Sequence, residues 1–356
     1  MTDKNETVKI QASRLQDLIK KKLMAAGLPE DSALETAKHL TYADLSDIHS
    51  HGAVRVAYYA ERIAKGGVTK KPKITYTKTG PATATFDGDN GQGHYIANLA
   101  LEKVIELVKE NGIAMVGVTH VSHTGMLAYY VEKLAEEGYV SLSMTQSDPM
   151  VVPFGGSENY FGTNPIAFGA PRKEGRPIFF DMATTVQAWG KVLDARSKGE
   201  SIPDTWAVDA EGNSTTDPHK VAGLLPIAGP KGYGLMMIVD ILSGMLFGLP
   251  FGKSVSSMYN DLDKGRDLGH VYIAVDPERF TSLDQFTSSI EQMVEELHAI
   301  KPADGFDQVY YPGELAVLST ERNLEEGIDI PKHIVDYLES DTVHFDQYGN
   351  KGAFAE

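Results

Sequence analysis

Apolar positions recur at helical spacing from residue 8 to residue 46, with a break at GLPEDS where Pro29 and Glu30 open a second helix. GAVRVAYYAERIAKGG continues the helical pattern and stops at Gly66 and Gly67. After Pro72 the period changes to two, and KITYTKTGPATATFDGD reads as a hairpin turning at Gly80-Pro81. Beyond it the chain alternates between helix and strand. A helix is expected from about Tyr95 to Lys109, a buried strand at 113–119, a helix near 126–137 and a strand at 139–145. PIFFD (177–181) predicts another strand, VQAWGKVLDARS a helix, and TWAVDAEGNSTT a turn at Glu211-Gly212. HVYIAVD (270–276) and a helix over 283–298 follow, and the tail mixes a strand-like QVYYPG with a helical IPKHIVDYLES. Helices at both ends around an α/β middle divide the chain into residues 1–72 together with 302–356, mainly helical, and an α/β unit over 73–301.

Length and composition narrow the chemistry. A chain of 356 residues is long enough for about two domains and a large core. Cysteine is absent, which excludes disulfides, zinc ribbons, iron–sulfur clusters and thiol nucleophiles. The balance of 33 basic and 49 acidic residues gives −16, a charge that repels nucleic acid and anionic lipid. MTDKNETVKI carries no apolar core of a secretion signal, so a cytoplasmic, membrane-free protein is expected. The one long apolar run, LMMIVDILSGMLFGLPF (235–251), is short for a bilayer span and contains Asp240, and it predicts a buried core helix.

Three places could carry chemistry. THVSHTGM puts His120 and His123 beyond the carboxyl end of a strand, where open α/β sheets form ligand crevices. His123 is expected beside the first turn of the next helix, whose positive end would keep the ring neutral and fit it as a general base. A histidine that caps that helix would leave the same pattern. In LSDIHSHGAVRVAYYAER, residues His51, Arg55 and Tyr59 follow at four-residue steps, with Ser50 just ahead. The guanidinium fork suits a carboxylate, and the hydroxyls can orient the rest of a small acid; a solvated helix face is the alternative. TQSDPMVVPFGGSENYFGTNP (145–165) is a long irregular stretch of the kind that is usually functional. AGPKGYG sets Lys231 among glycines at a helix start, a place for a pyrophosphate or for an ordinary tight turn.

Familiar motifs fail. GQGHYI has Ile96 where the third glycine of a dinucleotide fingerprint belongs, and FGLPFGKS has Phe247 at the first glycine of a P-loop. His49 and His51 would diverge on a helix, which disfavours a metal site. A metallohydrolase built on His49, His51, His120 and His123 is the distant rival.

IHSHGAVRVAYYAERI, HVSHTG, QSDPMVVPFGG, GTNP, DMATTVQAWGKVLDARSKG, AGPKGYGLMM and YYPGE, in that order over about residues 8–320, resemble the malate/L-lactate dehydrogenase family of NAD(P)-dependent oxidoreductases. The resemblance implies a mixed β-sheet with flanking helices rather than a Rossmann fold, and a homodimer with its active site in a cleft near the subunit interface. It implies that His123 is the catalytic acid/base, with His51 the other candidate, and that Arg55 holds the substrate carboxylate; on the local reading Ser50 and Tyr59 orient the rest of the substrate. Asn164 is expected near the nicotinamide or the substrate. Ser147, Asp181, Met182, Ala183, Lys231, Gly313 and Glu314 are expected to contact the cofactor. SIPDTWAVD, GLPFGKSVSSMYNDL and FDQVYYPG are similar to the branch that oxidises (S)-ureidoglycolate to oxalurate with NAD in allantoin degradation. Another 2-hydroxy or 2-oxo acid, such as malate, lactate or a diketo sugar acid, is the nearer alternative.

Overall fold

The computed structural model describes residues 6–348; the outermost ends of the expected terminal unit, 1–5 and 349–356, lie outside the described residues. The first half runs β1 (Thr7–Ile10), α1 (Ala12–Ala25), α2 (Glu30–Leu45), two 3-10 turns at His49–His51 and Ala53–Arg55, and α3 (Val56–Lys65). Then come β2 (Thr75–Lys78), β3 (Thr83–Gly91), α4 (Gly93–Asn111), β4 (Ile113–Val121), α5 (Ala128–Glu136) and β5 (Val140–Thr145). The second half holds β6 (Ile166–Ala170), β7 (Ile178–Met182), α6 (Trp189–Lys198), β8 (Ala207–Val208), β9 (Gly223–Leu224) and α7 (Pro230–Ser243). It ends with β10 (Leu268–Val275), α8 (Leu283–Ala299), α9 (Glu314–Glu326), β11 (Ile328–Pro331) and α10 (Lys332–Glu339).

Seven strands form one mixed sheet in the order β2-β3-β4-β10-β5-β6-β7, and only β3 and β4 run parallel. The period of two in β10 sorts its side chains. Tyr272 and Ala274 join the core under α4 and α5, whereas Val271 and Ile273 face α7. In α4, Ile96, Ala97, Ala100, Leu101, Val104, Leu107 and Val108 are buried at helical spacing, the apolar stripe that seats a helix on a sheet. Gly112, at φ 79°, ends that helix in the left-handed conformation. GQGHYI lies in the turn from β3 into α4, within the parallel strand–helix–strand unit of this sheet, but Ile96, at the place of the third glycine, is buried in the core, and the glycines serve packing instead. Gly93 begins α4 against the chain at His123, where a Cβ would come 2.2 Å from the His123 carbonyl oxygen.

A second core joins the two ends of the chain. Leu15, Ile19 and Leu23 of α1 pack with Leu40, Val56 and Ile63, and with Ile328, Ile334 and Leu338 from the tail. β1 pairs antiparallel with β11, Ile10 opposite Ile328.

Several local expectations are corrected. Residues 8–10 are strand, and Ile330 and Pro331 close β11 ahead of α10, because each segment finds its partner at the opposite chain end. GTNPIAFGA carries no strand signal of its own, yet β6 forms within it, held between β5 and β7. QVYYPG is not a strand, and Tyr311 packs with Ile178 and Val294. The apolar run 235–251 is not one buried helix. Helix α7 stops at Ser243, and Met237, Ile238, Ile241 and Leu246 are exposed. Among the described residues no helix is long and apolar enough to cross a membrane.

Candidate active site

Asp44, buried at the end of α2, shapes the HSHG segment. Its Oδ1 lies 2.9 Å from Nδ1 of His49, and its Oδ2 accepts the Ala53 N–H at 2.7 Å. Gly52 is required there, since a Cβ would meet the Asp44 carboxylate at 2.1 Å. Residues 49–55 are therefore two 3-10 turns bent at Gly52, not the start of α3. His51, Arg55 and Tyr59 thus do not share one helical stripe. The bend nonetheless brings them to one place.

His123 is in the irregular segment 122–126, ahead of α5 rather than in its first turn. The Tyr59 hydroxyl is 2.7 Å from Nδ1 of His123. The ring of His51 stacks on that of His123, 6.0 Å between centroids. Nδ1 of His51 meets the Ser50 hydroxyl at 3.0 Å, and Arg55 Nε donates to the Ser50 carbonyl at 2.6 Å. Arg55 also donates to the Tyr259 hydroxyl at 3.2 Å. No carboxylate pairs with Arg55 among the described residues. An arginine half-removed from water without an anion is a ready site for one.

Burial first, then the neighbouring His51 ring and the Arg55 guanidinium, hold His123 well below the ordinary histidine range. Burial and Arg55 press His51 down to about 3. Both rings are neutral near pH 7 for this reason, not because of a helix end. Burial raises the Tyr59 phenol, so it keeps its proton.

Three residues at this site escaped the sequence reading. His94, buried, is 5.2 Å from Tyr59 and 6.4 Å from His123 between ring centroids. His39, also buried, touches the His94 ring at 4.6 Å. Tyr259 reaches Arg55 from the far half of the chain. His94 stood in view inside GQGHYI, whereas nothing local marks His39 or Tyr259.

The cofactor candidates form a neighbouring bracket. Ser147 N–H donates to Asn164 Oδ1 at 3.3 Å, Asn164 Nδ2 to the Met236 carbonyl at 3.0 Å, and Thr184 Oγ1 to the Asn164 carbonyl at 3.1 Å. Both ends of the Asn164 amide are thus engaged inside the protein. Ile227 N–H donates to Thr184 O at 2.9 Å, which lays AGPKG beside the segment containing Met182 and Ala183. Lys231 is exposed in the first turn of α7. Pro230 has no N–H, and those of Lys231, Gly232 and Tyr233 donate to the Ala228, Ile227 and Gly229 carbonyls, so the Lys231 ammonium is the donor that α7 offers a pyrophosphate. Asp181 Oδ2 accepts the Ala128 N–H at the start of α5, at 2.9 Å, and burial pushes its carboxyl up to about 6. Gly313, at φ 91°, passes so close to β7 that a Cβ would lie 2.6 Å from the Phe179 carbonyl. Glu314 Oε1 is 2.8 Å from Nε2 of His298, and its Oε2 accepts the Tyr311 N–H. Next to Ser147, Asp148 Oδ2 accepts the Met258 N–H at 3.1 Å, directly beside Tyr259. The bracket and the Arg55 clamp therefore meet within one chain.

His120 stands apart, its Nδ1 2.9 Å from Asp87. No group of three or more His, Asp or Glu among the described residues is placed to hold a metal ion, so the metallohydrolase reading has no ligand cluster.

Residues 10–339 match the family model described as malate/L-lactate dehydrogenase. The chain is 51% identical to the ureidoglycolate dehydrogenase (NAD(+)) of Escherichia coli K12 over 98% of this chain and 100% of that one. It is 38% identical to a malate dehydrogenase of Pyrococcus horikoshii, over 93% and 94% of the two chains. The solved sulfolactate dehydrogenase of Methanocaldococcus jannaschii superposes with a TM-score of 0.87 at 33% identity, over 93% of this chain and 96% of that one. This protein belongs to the malate/L-lactate dehydrogenase family.

Proposed function

We propose that the protein oxidises (S)-ureidoglycolate to oxalurate with NAD⁺. The Arg55 guanidinium, which has no carboxylate partner among the described residues, carries this reading, because it sits in one array with Ser50, His51, His123 and Tyr59. The ureidoglycolate dehydrogenase (NAD(+)) to which half the positions are identical supports the substrate and the acceptor. Arg55 binds the substrate carboxylate, and Ser50 and His51 border the carbinol carbon. His123 takes the hydroxyl proton at Nε2 while its Nδ1 faces the Tyr59 hydroxyl. The bound nicotinamide supplies the acceptor for the carbinol hydrogen and its electron pair. The Lys231 ammonium would hold the pyrophosphate, and Ser147, Met182, Ala183 and Gly313 would wall the cofactor. Asp181 and Glu314 shape that wall through the Ala128 N–H and His298. Holding acid, alcohol and acceptor together can supply about 7–11 kcal/mol of the barrier.

In this reading residues 1–72 with 302–356 form the substrate-side unit and 73–301 the cofactor-side unit of a cytoplasmic homodimer. The exposed apolar residues of α7 support an interface with a second copy; sedimentation of a monomer at micromolar concentration would remove that part. A second reading, oxidation of malate or a similar 2-hydroxy acid, draws on the 38% identical malate dehydrogenase and on a clamp that recognises only the carboxylate and hydroxyl. Initial rates for ureidoglycolate and malate, each with NAD⁺ and NADP⁺, decide between them. A higher kcat/KM for malate would replace the ureidoglycolate assignment.

A further inference from the structure

The segment carrying His123 is held from several sides, and one of its ties comes from an unexpected residue. Gly93 N–H donates to Ser122 Oγ at 2.8 Å, the Tyr130 hydroxyl donates to the Thr124 carbonyl at 2.6 Å, and Thr124 Oγ1 meets Nδ1 of His270 at 3.2 Å. These three ties fix the segment to α4, α5 and β10, all parts of the sheet and its own helices. The Met126 N–H donates instead to Nε2 of His39 at 2.8 Å, and His39 belongs to α2. Helix α2 also carries Asp44, which bends the chain at Ser50, His51 and Arg55.

We infer that His39 is a positioning residue for the acid/base: its Nε2 accepts the Met126 N–H and sets the His123 segment in register with the Arg55 clamp. The inference rests on the roles proposed above for His123 and Arg55. Two bonds cross from the terminal helices to this segment, Tyr59 to the ring of His123 and His39 to the backbone behind it. A ring held at one nitrogen can still swing with its backbone, so the second bond removes a freedom that the first leaves.

The surroundings of His39 suit this use. It is fully buried, with the rings of His94, Tyr129 and Tyr130 at 4.6, 4.5 and 5.3 Å. Accepting through Nε2 requires an unprotonated nitrogen there, and burial keeps the ring neutral. Its proton is then on Nδ1, which has no hydrogen-bond partner. A leucine would fill such an apolar pocket without an unpartnered donor, so packing alone does not explain the histidine. Gly125 completes the fit, because a Cβ there would come 2.4 Å from Nε2 of His39.

Glutamine can present an oxygen near the place of a histidine Nε2, whereas asparagine reaches only as far as Nδ1. In the full-length protein, His39→Gln should therefore keep kcat within about threefold of wild type, and His39→Asn should lower it about tenfold or more with the KM for NAD⁺ unchanged. Hydrogen exchange at the Met126 amide should rise about tenfold in His39→Asn and stay near wild type in His39→Gln. Where His39→Asn does not fold, His39→Leu, which fills the pocket and offers no acceptor, carries the same expectation. Equal kcat in the Gln and Asn variants, or equal exchange at Met126, overturns the inference. The exchange measurement needs no substrate, so a wild-type protein inactive on ureidoglycolate would refute that assignment and leave this test standing.

Discussion

Tyr59 holds its hydroxyl 2.7 Å from Nδ1 of His123, and so joins a helix of the first quarter of the chain to the loop after β4. With Nδ1 engaged, Nε2 is the nitrogen left for the substrate hydroxyl. Replacing Tyr59 with Phe removes this partner while keeping the ring in place. The expected loss is about 3–10-fold in kcat, with little change in KM for either reactant, read from steady-state rates.

Arg55 binds the carboxylate in the mechanism above and has no competing anion. Arg55→Ala should lower kcat/KM for the acid substrate by about 10–150-fold and leave the dissociation constant of NAD⁺ alone. Arg55→Lys should recover only part of it, because an ammonium lacks the fork. An Ala variant within twofold of wild type would exclude the clamp.

His123 is neutral at pH 7 and held well below the ordinary histidine range, chiefly by burial. As the base it must be unprotonated, so kcat/KM for oxidation should stay level as pH falls from 7.5 through about 6.5, the usual histidine value. Loss of activity should begin only at lower pH. A profile that halves near pH 6.5 would point to a different base. His123→Ala should lower kcat by about 10²–10⁴-fold.

His94 and His270 are buried, and burial presses each down to about 3. Their folded pKa lies below the unfolded value of about 6.5, so the unfolded chain binds more protons once pH drops below that value. Their contribution to stability is thus complete above pH 6.5 and is lost as pH falls toward 3. By pH 5 the loss should approach about 2 kcal/mol for each histidine. Urea midpoints measured at pH 7.5 and pH 5 test this, and a midpoint that does not fall contradicts it.

Lys231 stands exposed at the start of α7, where its ammonium suits a phosphate. Lys231→Ala should weaken NAD⁺ binding about tenfold and leave the melting temperature unchanged, as measured by titration calorimetry and thermal unfolding. Unchanged affinity would place the pyrophosphate elsewhere.

Much was legible along the chain because it is locally encoded. The stripe of α4, the alternation of β10 and the hairpin of β2 and β3 each follow from a period that a short segment carries by itself. The residue types of the site were legible too, since a histidine in a strand-to-helix loop and an arginine among hydroxyls state their chemistry wherever they end up. The geometry was not. Spacing placed His51, Arg55 and Tyr59 on one helix, whereas a buried carboxylate from α2 bends that segment into two turns. Spacing also placed His123 at a helix start, yet its neutrality comes first from burial and then from His51 and Arg55, which approach from elsewhere in the chain. β1 read as helix because its partner strand is at the other end of the chain.

By itself, then, the sequence determined the strongly periodic elements such as α4, β10 and the β2–β3 hairpin, the absence of thiol chemistry and the set of side chains available for proton transfer and carboxylate binding. Tertiary structure alone decided which of them meet: Tyr59 with His123, Tyr259 with Arg55, and His39 with the Met126 amide. The reason is physical. Periodicity and propensity act over a few residues, whereas burial, hydrogen bonding and charge act between whatever groups the packed chain brings within a few ångströms.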